Sequence, residues 1–186
     1  MPNEEKKIPS FIEYLTSLTP ESNRGELAVL RRGLSYPPAE DVDMYRYIAR
    51  FVPEAQRGTR RERIYYLVAA LYAFHPLSTA ENLNFGNHMA AAAQQMKERA
   101  STERRFTLLL NVDSDDLADY LRQAISFLKS KDVKVNWSRL FNDLNQWDLP
   151  GRPVQRRWAN GFWGYQNPTE NKDNPQSDYS TKDKEN

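Results

Sequence analysis

The chain has 186 residues, of which 39% are hydrophobic, and its 26 basic and 25 acidic side chains give a formal net charge of +1. This composition supports a hydrophobic core in one domain or two small lobes, and the near-neutral charge argues against a strongly basic nucleic-acid binder. The absence of cysteine excludes disulfides, thiolate nucleophiles and cysteine-based zinc sites. We expect a cytoplasmic protein with no membrane contact, because the sequence has no run of about 18 apolar residues and no signal-peptide pattern.

Apolar residues recur every three or four positions in the first half of the chain, which predicts a succession of helices. Ser10 is suited to cap the first of them, and Pro20, Pro37 and Pro53 separate them. The fourth is apolar on nearly every side over 64–74, which is typical of a buried central helix. The predicted helices of this half span about residues 10–18, 25–34, 41–52 and 60–75.

The second half of the chain predicts further helices by the same spacing. Ser101 and Thr102 are suited to cap the helix over 103–110, and Ser114 is suited to cap the next one. Large aromatic side chains dominate protein cores, so we expect all four tryptophans to be buried. The predicted helices of this half span about residues 87–99, 103–110, 114–130, 136–147 and 153–163.

The spacing predicts an all-α fold of about nine helices in a bundle, because no amphipathic helix can bury its apolar stripe alone. No segment shows the alternation of a strand. We expect two lobes, with a boundary near 76–102, inside a helical domain over 10–165. A flexible N-terminus over 1–9 and a disordered polar tail over 166–186 flank this domain, since both are poor in apolar residues.

The sequence offers little for catalysis. His75 and His88 stand apart with no acid at a ligand spacing, and no phosphate-binding glycine loop, nucleophile elbow or zinc-protease motif is present. Helix capping and solvation explain the acidic cluster over 113–119 better than metal binding does. We therefore predict a protein that is not an enzyme and has no catalytic residue, metal or cofactor. A hydrolase that uses His88 and nearby acids is kept as a hypothesis to test.

Arginine-rich clusters are the most informative polar feature of the chain. Each is either a solvated helix face or a phosphate-binding surface, for which the bidentate guanidinium is suited. The pairs at 60–61 and 104–105 are predicted at helix N-termini, where free backbone N–H groups attract anions. Physical chemistry thus suggests a helical protein that binds the phosphate backbone. The clusters are Arg31 and Arg32; Arg57, Arg60, Arg61 and Arg63; Lys97, Arg99, Arg104 and Arg105; and Arg152, Arg156 and Arg157.

Six segments of the chain stand in an order that is typical of one known family. They are LRRG at 30–33, NFGNHMA at 84–90, ERRFTLLL at 103–110, DLADYLRQAISFL at 116–128, VNWSRLFNDLNQW at 135–147 and VQRRWANGFW at 154–163. In this order they resemble the CasB family, whose members are the small subunit of the type I-E CRISPR surveillance complex, Cascade. The resemblance covers roughly residues 10–165.

The resemblance implies an all-helical, two-lobed, non-catalytic subunit that is present as two copies. It implies a basic surface that contacts the guide RNA–target DNA hybrid and the displaced DNA strand, and so stabilises the R-loop in antiviral defence. The implied partners are guide RNA, target and non-target DNA, the backbone and large subunits of Cascade, and a second copy of the chain. The residues to which it assigns nucleic-acid binding are Arg31, Arg32, Arg60, Arg61, Lys97, Arg99, Arg104, Arg105 and Arg122.

A helical protein–protein adaptor with no direct nucleic-acid contact is the alternative. Exposed aromatic residues would anchor its partner, and Tyr65, Tyr66 and Trp163 are the candidates. Binding by such an adaptor would be insensitive to salt, whereas phosphate binding weakens as the salt concentration rises.

Overall fold

The computed structural model describes residues 10–95 and 99–164. Over these ranges the chain has nine α-helices and no strand, so the predicted all-α fold is confirmed. The predicted flexible N-terminus over 1–9 and polar tail over 166–186 lie outside the described residues, and the division into two lobes stays a prediction. The helices are α1 (Phe11–Ser17), α2 (Arg24–Arg32), α3 (Tyr45–Ile48), α4 (Arg60–Phe74), α5 (Phe85–Gln94), α6 (Arg99–Asn111), α7 (Leu117–Ser130), α8 (Trp137–Leu144) and α9 (Pro153–Trp163).

Helix α4 forms the centre of the fold. Its residues from Ile64 to Ala73 are all buried, as the unbroken apolar run predicts. Thr59 caps the helix, because its hydroxyl accepts a hydrogen bond from the backbone N–H of Arg61 at 3.2 Å. Helices α2, α3, α7 and α8 all contact α4. The side chains that these helices expose are therefore arranged around one scaffold.

The predicted helix over 41–52 is broken in the structure. It consists of the short α3 between two 3₁₀ segments, Val42–Met44 and Ala49–Phe51. The Asp41 carboxylate accepts a hydrogen bond from the backbone N–H of Asp43 at 3.1 Å. This local bond closes a tight turn at the point where a regular helix would begin. The prediction of one continuous helix is therefore wrong.

Helix α6 begins at Arg99, earlier than the predicted start at residue 103. The stretch contains no Gly or Pro that would stop a helix, and the side chains of Arg99 and Glu103 form an ion pair across one turn, at 3.2 Å. The hydroxyl residues that were expected to cap it lie inside it instead. Arg104 and Arg105 consequently stand in the interior of α6, so their predicted place at a helix N-terminus is wrong. Ser114 likewise does not cap α7, which begins at Leu117.

Helices α5 and α9 approach each other closely, and a glycine makes this approach possible. A Cβ atom at Gly86 would lie 1.8 Å from the carbonyl oxygen of Trp158, so a larger residue would force the helices apart. Beside it, the side-chain amide of Asn84 donates a hydrogen bond to the carbonyl oxygen of Arg157 at 3.0 Å. These contacts hold α9 against α5, and α9 also contacts α6.

Three of the four tryptophans are buried, as predicted, and their indole N–H groups all donate hydrogen bonds. The shortest of these bonds joins Trp158 to a carboxylate oxygen of Asp143 at 2.7 Å. Trp163, at the end of α9, is 49% exposed, so the prediction that it belongs to the core is wrong. The buried tryptophans are Trp137, Trp147 and Trp158.

His88 is a buried histidine that joins α5 to the start of α8. Its Nε2 accepts a hydrogen bond from the backbone N–H of Asn136 at 3.1 Å, which requires that nitrogen to be unprotonated. Burial lowers the pKa of His88 to about 4. The histidine is therefore neutral in the folded chain near pH 7, and its contacts are those of a structural residue.

Acidification should destabilise the chain through His88. Because its pKa is lowered on folding, the stabilisation is complete above the ordinary pKa of 6.5 and is lost as the pH falls towards about 4. The loss is about 3 kcal/mol over that window. His88→Gln keeps an acceptor but does not titrate, so its free energy of unfolding in urea should fall less steeply with pH than that of the wild type. Parallel curves would contradict this assignment.

Candidate functional site

The ends of α2 and α4 meet the exposed faces of α6 and α7 at an open groove of about 750 Å³. Three residues from the predicted nucleic-acid-binding set line it: Arg31, Arg105 and Arg122. They come from three different helices, so folding brings together side chains that are far apart in the sequence. We name this feature the cationic groove. Its lining residues are Arg31, Leu34, Ser35, Phe74, Arg105, Arg122, Gln123, Ser126, Phe127 and Ser130.

The described lining of the cationic groove is positively charged. It includes three guanidinium groups and no carboxylate, while three serines and one glutamine add neutral hydrogen-bonding groups. A concave surface that carries charge of one sign concentrates ligands of the opposite sign. Guanidinium, amide and hydroxyl groups are donors that commonly bind phosphate oxygens. The groove is therefore chemically suited to phosphate groups.

Helix α7 supplies one wall of the groove. Its apolar stripe, which begins at Leu117, is buried against the rest of the fold. On another face, Arg122, Ser126 and Ser130 recur every four residues and line the groove. A helix rises about 1.5 Å per residue, so these three polar side chains follow a line about 12 Å long. The amphipathic pattern of α7 thus sets both the core contact and the polar wall.

Arg122 also fixes the shape of the groove. Its Nη1 donates a hydrogen bond to the carbonyl oxygen of Leu34 at 2.9 Å, which ties the 3₁₀ segment Gly33–Ser35 to α7. A guanidinium carries five N–H donors, so this bond leaves others for a ligand. Arg31 and Arg105 are exposed and form no ion pair within the ranges that the structure describes. Their charges are therefore not neutralised there.

Lys129 is a cation beside the groove residue Phe74 that the sequence analysis missed. Its Nζ donates a hydrogen bond to the carbonyl oxygen of Phe74 at 2.8 Å and lies 4.1 Å from the centre of the Phe74 ring. It thereby caps the C-terminal end of α4, where the helix dipole favours a cation. The sequence does indicate a positively charged surface here, because the segment 120–131 contains Arg122, Lys129 and Lys131 but no acidic residue.

Arg32, Arg60 and Arg99 are predicted contacts whose guanidinium groups are engaged within the protein. Arg32 pairs with Asp43, and Nη1 of Arg60 lies 3.0 Å from Oδ2 of Asp148. Burial lowers the pKa of Arg60, as is expected for a side chain held against the fold. Arg99 forms the ion pair within α6 described above. None of the three lines the cationic groove.

Arg61 and Arg104 are exposed, and neither has an ion-pair partner in the part of the chain that the structure describes. They do not line the groove. Arg104 neighbours Arg105 on α6, but successive residues of a helix point about 100° apart around its axis. Lys97 lies outside the described residues. Arg61, Arg104 and Lys97 stay predicted contacts to nucleic acid.

The structure gives little support to the adaptor hypothesis or to a metal site. Tyr65 and Tyr66 are buried in α4, so the prediction that they are exposed anchors for a protein partner is wrong, and Trp163 alone of that set is exposed. Among the described residues, no group of three or more His, Asp or Glu side chains is arranged to hold a metal ion. In the same ranges, no helix combines the length and apolar character needed to cross a membrane.

Comparison with known proteins gives one consistent family. The family model for CRISPR-associated protein Cse2 matches residues 26–163. The CRISPR-associated protein Cse2 of Thermus thermophilus is 34% identical over 138 residues, which cover 74% of this chain and 78% of that protein. A crystal structure of a Cse2 family protein from the same organism has a TM-score of 0.73 at 31% identity, and the match covers 83% of this chain and 96% of that one.

Two further solved structures are similar over the same share of the chain. The crystal structure of M. ruber CasB has a TM-score of 0.70 at 31% identity and is matched over 83% of this chain and 90% of that one. A chain of a CRISPR RNA-guided surveillance complex has a TM-score of 0.71 at 25% identity, with the same coverage of 83% and 90%. The matched region contains the whole of the cationic groove.

Proposed function

Because the chain belongs to the CRISPR-associated protein Cse2 family, we propose that it is a non-catalytic subunit of a type I-E CRISPR surveillance complex, Cascade. We propose further that its cationic groove binds the phosphate backbone of nucleic acid. The observation that carries this second part is the meeting of Arg31, Arg105 and Arg122 in one groove whose described lining has no carboxylate.

Backbone binding at this groove would stabilise an opened DNA duplex. The exchange of a DNA duplex for a guide RNA–target DNA hybrid is nearly balanced in free energy, and base pairing supplies the sequence recognition. A hydrogen bond to a charged group contributes about 1.5–3 kcal/mol, so a few arginine–phosphate contacts are enough to shift that balance. The groove would therefore hold the hybrid or the displaced strand and stabilise the R-loop in antiviral defence.

The proposed partners follow from the same premise. A chain of similar fold is part of a solved CRISPR RNA-guided surveillance complex, which supports the other subunits of such a complex and its guide RNA as partners. We also propose target and non-target DNA and a second copy of the chain as partners. The proposed location is the cytoplasm. A binding role of this kind needs donors and positive charge, which the groove offers, and it needs no catalytic group.

Binding of the purified chain to single-stranded and double-stranded oligonucleotides across a salt series tests the proposal. Each phosphate contact contributes a slope of about −0.7 on single strands and about −0.9 on duplex when the logarithm of the binding constant is plotted against that of salt. Three or four contacts predict a slope of about −2 to −3 on single strands. A flat response would contradict phosphate binding by the groove and favour the adaptor.

A further inference from the structure

A second, apolar cleft opens beside the cationic groove, between α5, α6 and α7. The two features share Arg105, Gln123 and Phe127, so one continuous surface runs from the arginines to apolar side chains. The remainder of the cleft is mostly apolar, with Leu108 on α6 and Tyr120 on α7 among its lining residues. We name this feature the apolar cleft.

Leu108 forms the exposed lip of the apolar cleft. Its side chain is 51% exposed, which makes it one of the few large apolar side chains on the described surface. Arg105 and Leu108 are separated by one turn of α6 and so lie on the same face, about 4.5 Å apart along the axis. A ligand whose charged group binds Arg105 would therefore place an adjacent apolar group against Leu108.

The size of the cleft limits what it can accept. Its volume is about 50 Å³, whereas a cavity that encloses a benzene molecule measures about 150 Å³. An aromatic ring therefore cannot enter it completely. A ring that lies on its surface would meet mostly apolar side chains, together with the amide of Gln123, which also lines the cleft.

We propose that an unpaired base packs across the mouth of the apolar cleft, against Leu108 and Tyr120, when the phosphates of its strand lie in the cationic groove. This inference rests on the proposed function and narrows it to strands with unpaired bases. A nucleotide carries a phosphate and an apolar ring side by side, which matches the adjacent cationic and apolar surfaces. In a duplex the base faces are stacked on one another and are not offered to the protein.

Comparison with a strand that lacks bases separates the contribution of the bases to binding from that of the phosphates. The probes are single-stranded oligothymidylate and an abasic deoxyribose phosphate strand of the same length and charge. Packing of a base on a protein side chain is sequence-tolerant and contributes about 1–3 kcal/mol on an aromatic ring, so we expect the wild type to bind oligothymidylate about fivefold or more tightly than the abasic strand. The readout is the ratio of the two dissociation constants.

Leu108→Gln should lower this ratio, because only Tyr120 then remains to pack against the base, while leaving the affinity for the abasic strand unchanged. Leu108 is exposed, so the change should not disturb folding, which circular dichroism checks. Leu149→Gln is the matched control, because Leu149 is 47% exposed between α8 and α9 and does not line the cleft, and it should keep the wild-type ratio. Arg105→Gln should weaken binding to both strands by a similar factor.

The outcomes distinguish this inference from the proposed function. Measurable but equal binding of the two strands by the wild type overturns the base contact and leaves phosphate binding standing. A wild-type preference that is undiminished in Leu108→Gln overturns the placement of the base at this cleft. Failure of both strands to bind overturns the proposed function, and the base contact with it.

Discussion

Replacing Arg31, Arg105 and Arg122 together by glutamine should lower the affinity of the chain for single-stranded nucleic acid by about a hundredfold or more. Each guanidinium is expected to make a charge-assisted contact of about 1.5–3 kcal/mol, of which part is retained by the neutral amide. The measurement is a titration at low salt with a labelled oligonucleotide. In an assembled surveillance complex, the same variant should retain target DNA less well than the wild type.

The control for this variant removes the same number of charges elsewhere. Arg46, Lys134 and Arg156 are exposed, and none of them lines the cationic groove. Their replacement by glutamine should reduce the affinity much less, because screened charges at a distance contribute little. Equal losses in the two triple variants would mean that overall charge, and not the groove, governs binding.

Replacing Asp143 by alanine should destabilise the fold by about 3 kcal/mol or more. Its side chain is 3% exposed, and its two carboxylate oxygens accept hydrogen bonds at 2.7 Å from Nη2 of Arg157 and from the indole N–H of Trp158. Removing the carboxylate leaves a buried donor without its partner and breaks the ion pair. Thermal unfolding should show a decrease in Tm of about 6–12 °C for a chain of this size.

Asp148→Ala is the matched control for the buried carboxylate. Asp148 also pairs with an arginine, Arg60, at 3.0 Å, but its side chain is 52% exposed. Exposed ion pairs contribute about 0–1 kcal/mol, so this variant should unfold within a few degrees of the wild type. If the two variants lost similar stability, burial of Asp143 would not explain its effect.

Much of the fold is predictable from local pattern. The run of apolar residues that ends at Phe74 predicts the central helix, and the recurrence of apolar residues every three or four positions in α7 predicts its buried stripe. Asn136 caps α8, because its side-chain oxygen accepts a hydrogen bond from the backbone N–H of Arg139, and Gly164 follows the last residue of α9. These features depend on neighbours within one or two turns, and such neighbours are visible in the sequence.

The parts that the sequence could not predict depend on contacts between distant segments. Nothing near Arg32 or Arg60 indicates that Asp43 and Asp148 will neutralise them, and nothing near Arg31 indicates that it will meet Arg122. The spacing around Arg104 and Arg105 suggested a helix N-terminus, yet α6 extends past it because no residue breaks the helix. Arginine content therefore suggests phosphate as a ligand, while the fold determines which arginines share a surface.

The difference in salt slope between the wild type and the Arg31, Arg105 and Arg122 triple variant tests the central claim most directly. Each lost phosphate contact on a single strand should reduce the magnitude of the slope by about 0.7, so loss of all three predicts a reduction of about 2. A reduction of that size, absent from the matched surface triple, would identify the groove as the site of phosphate binding. An unchanged slope would contradict the account, because it would mean that these arginines release no counter-ions from the nucleic acid.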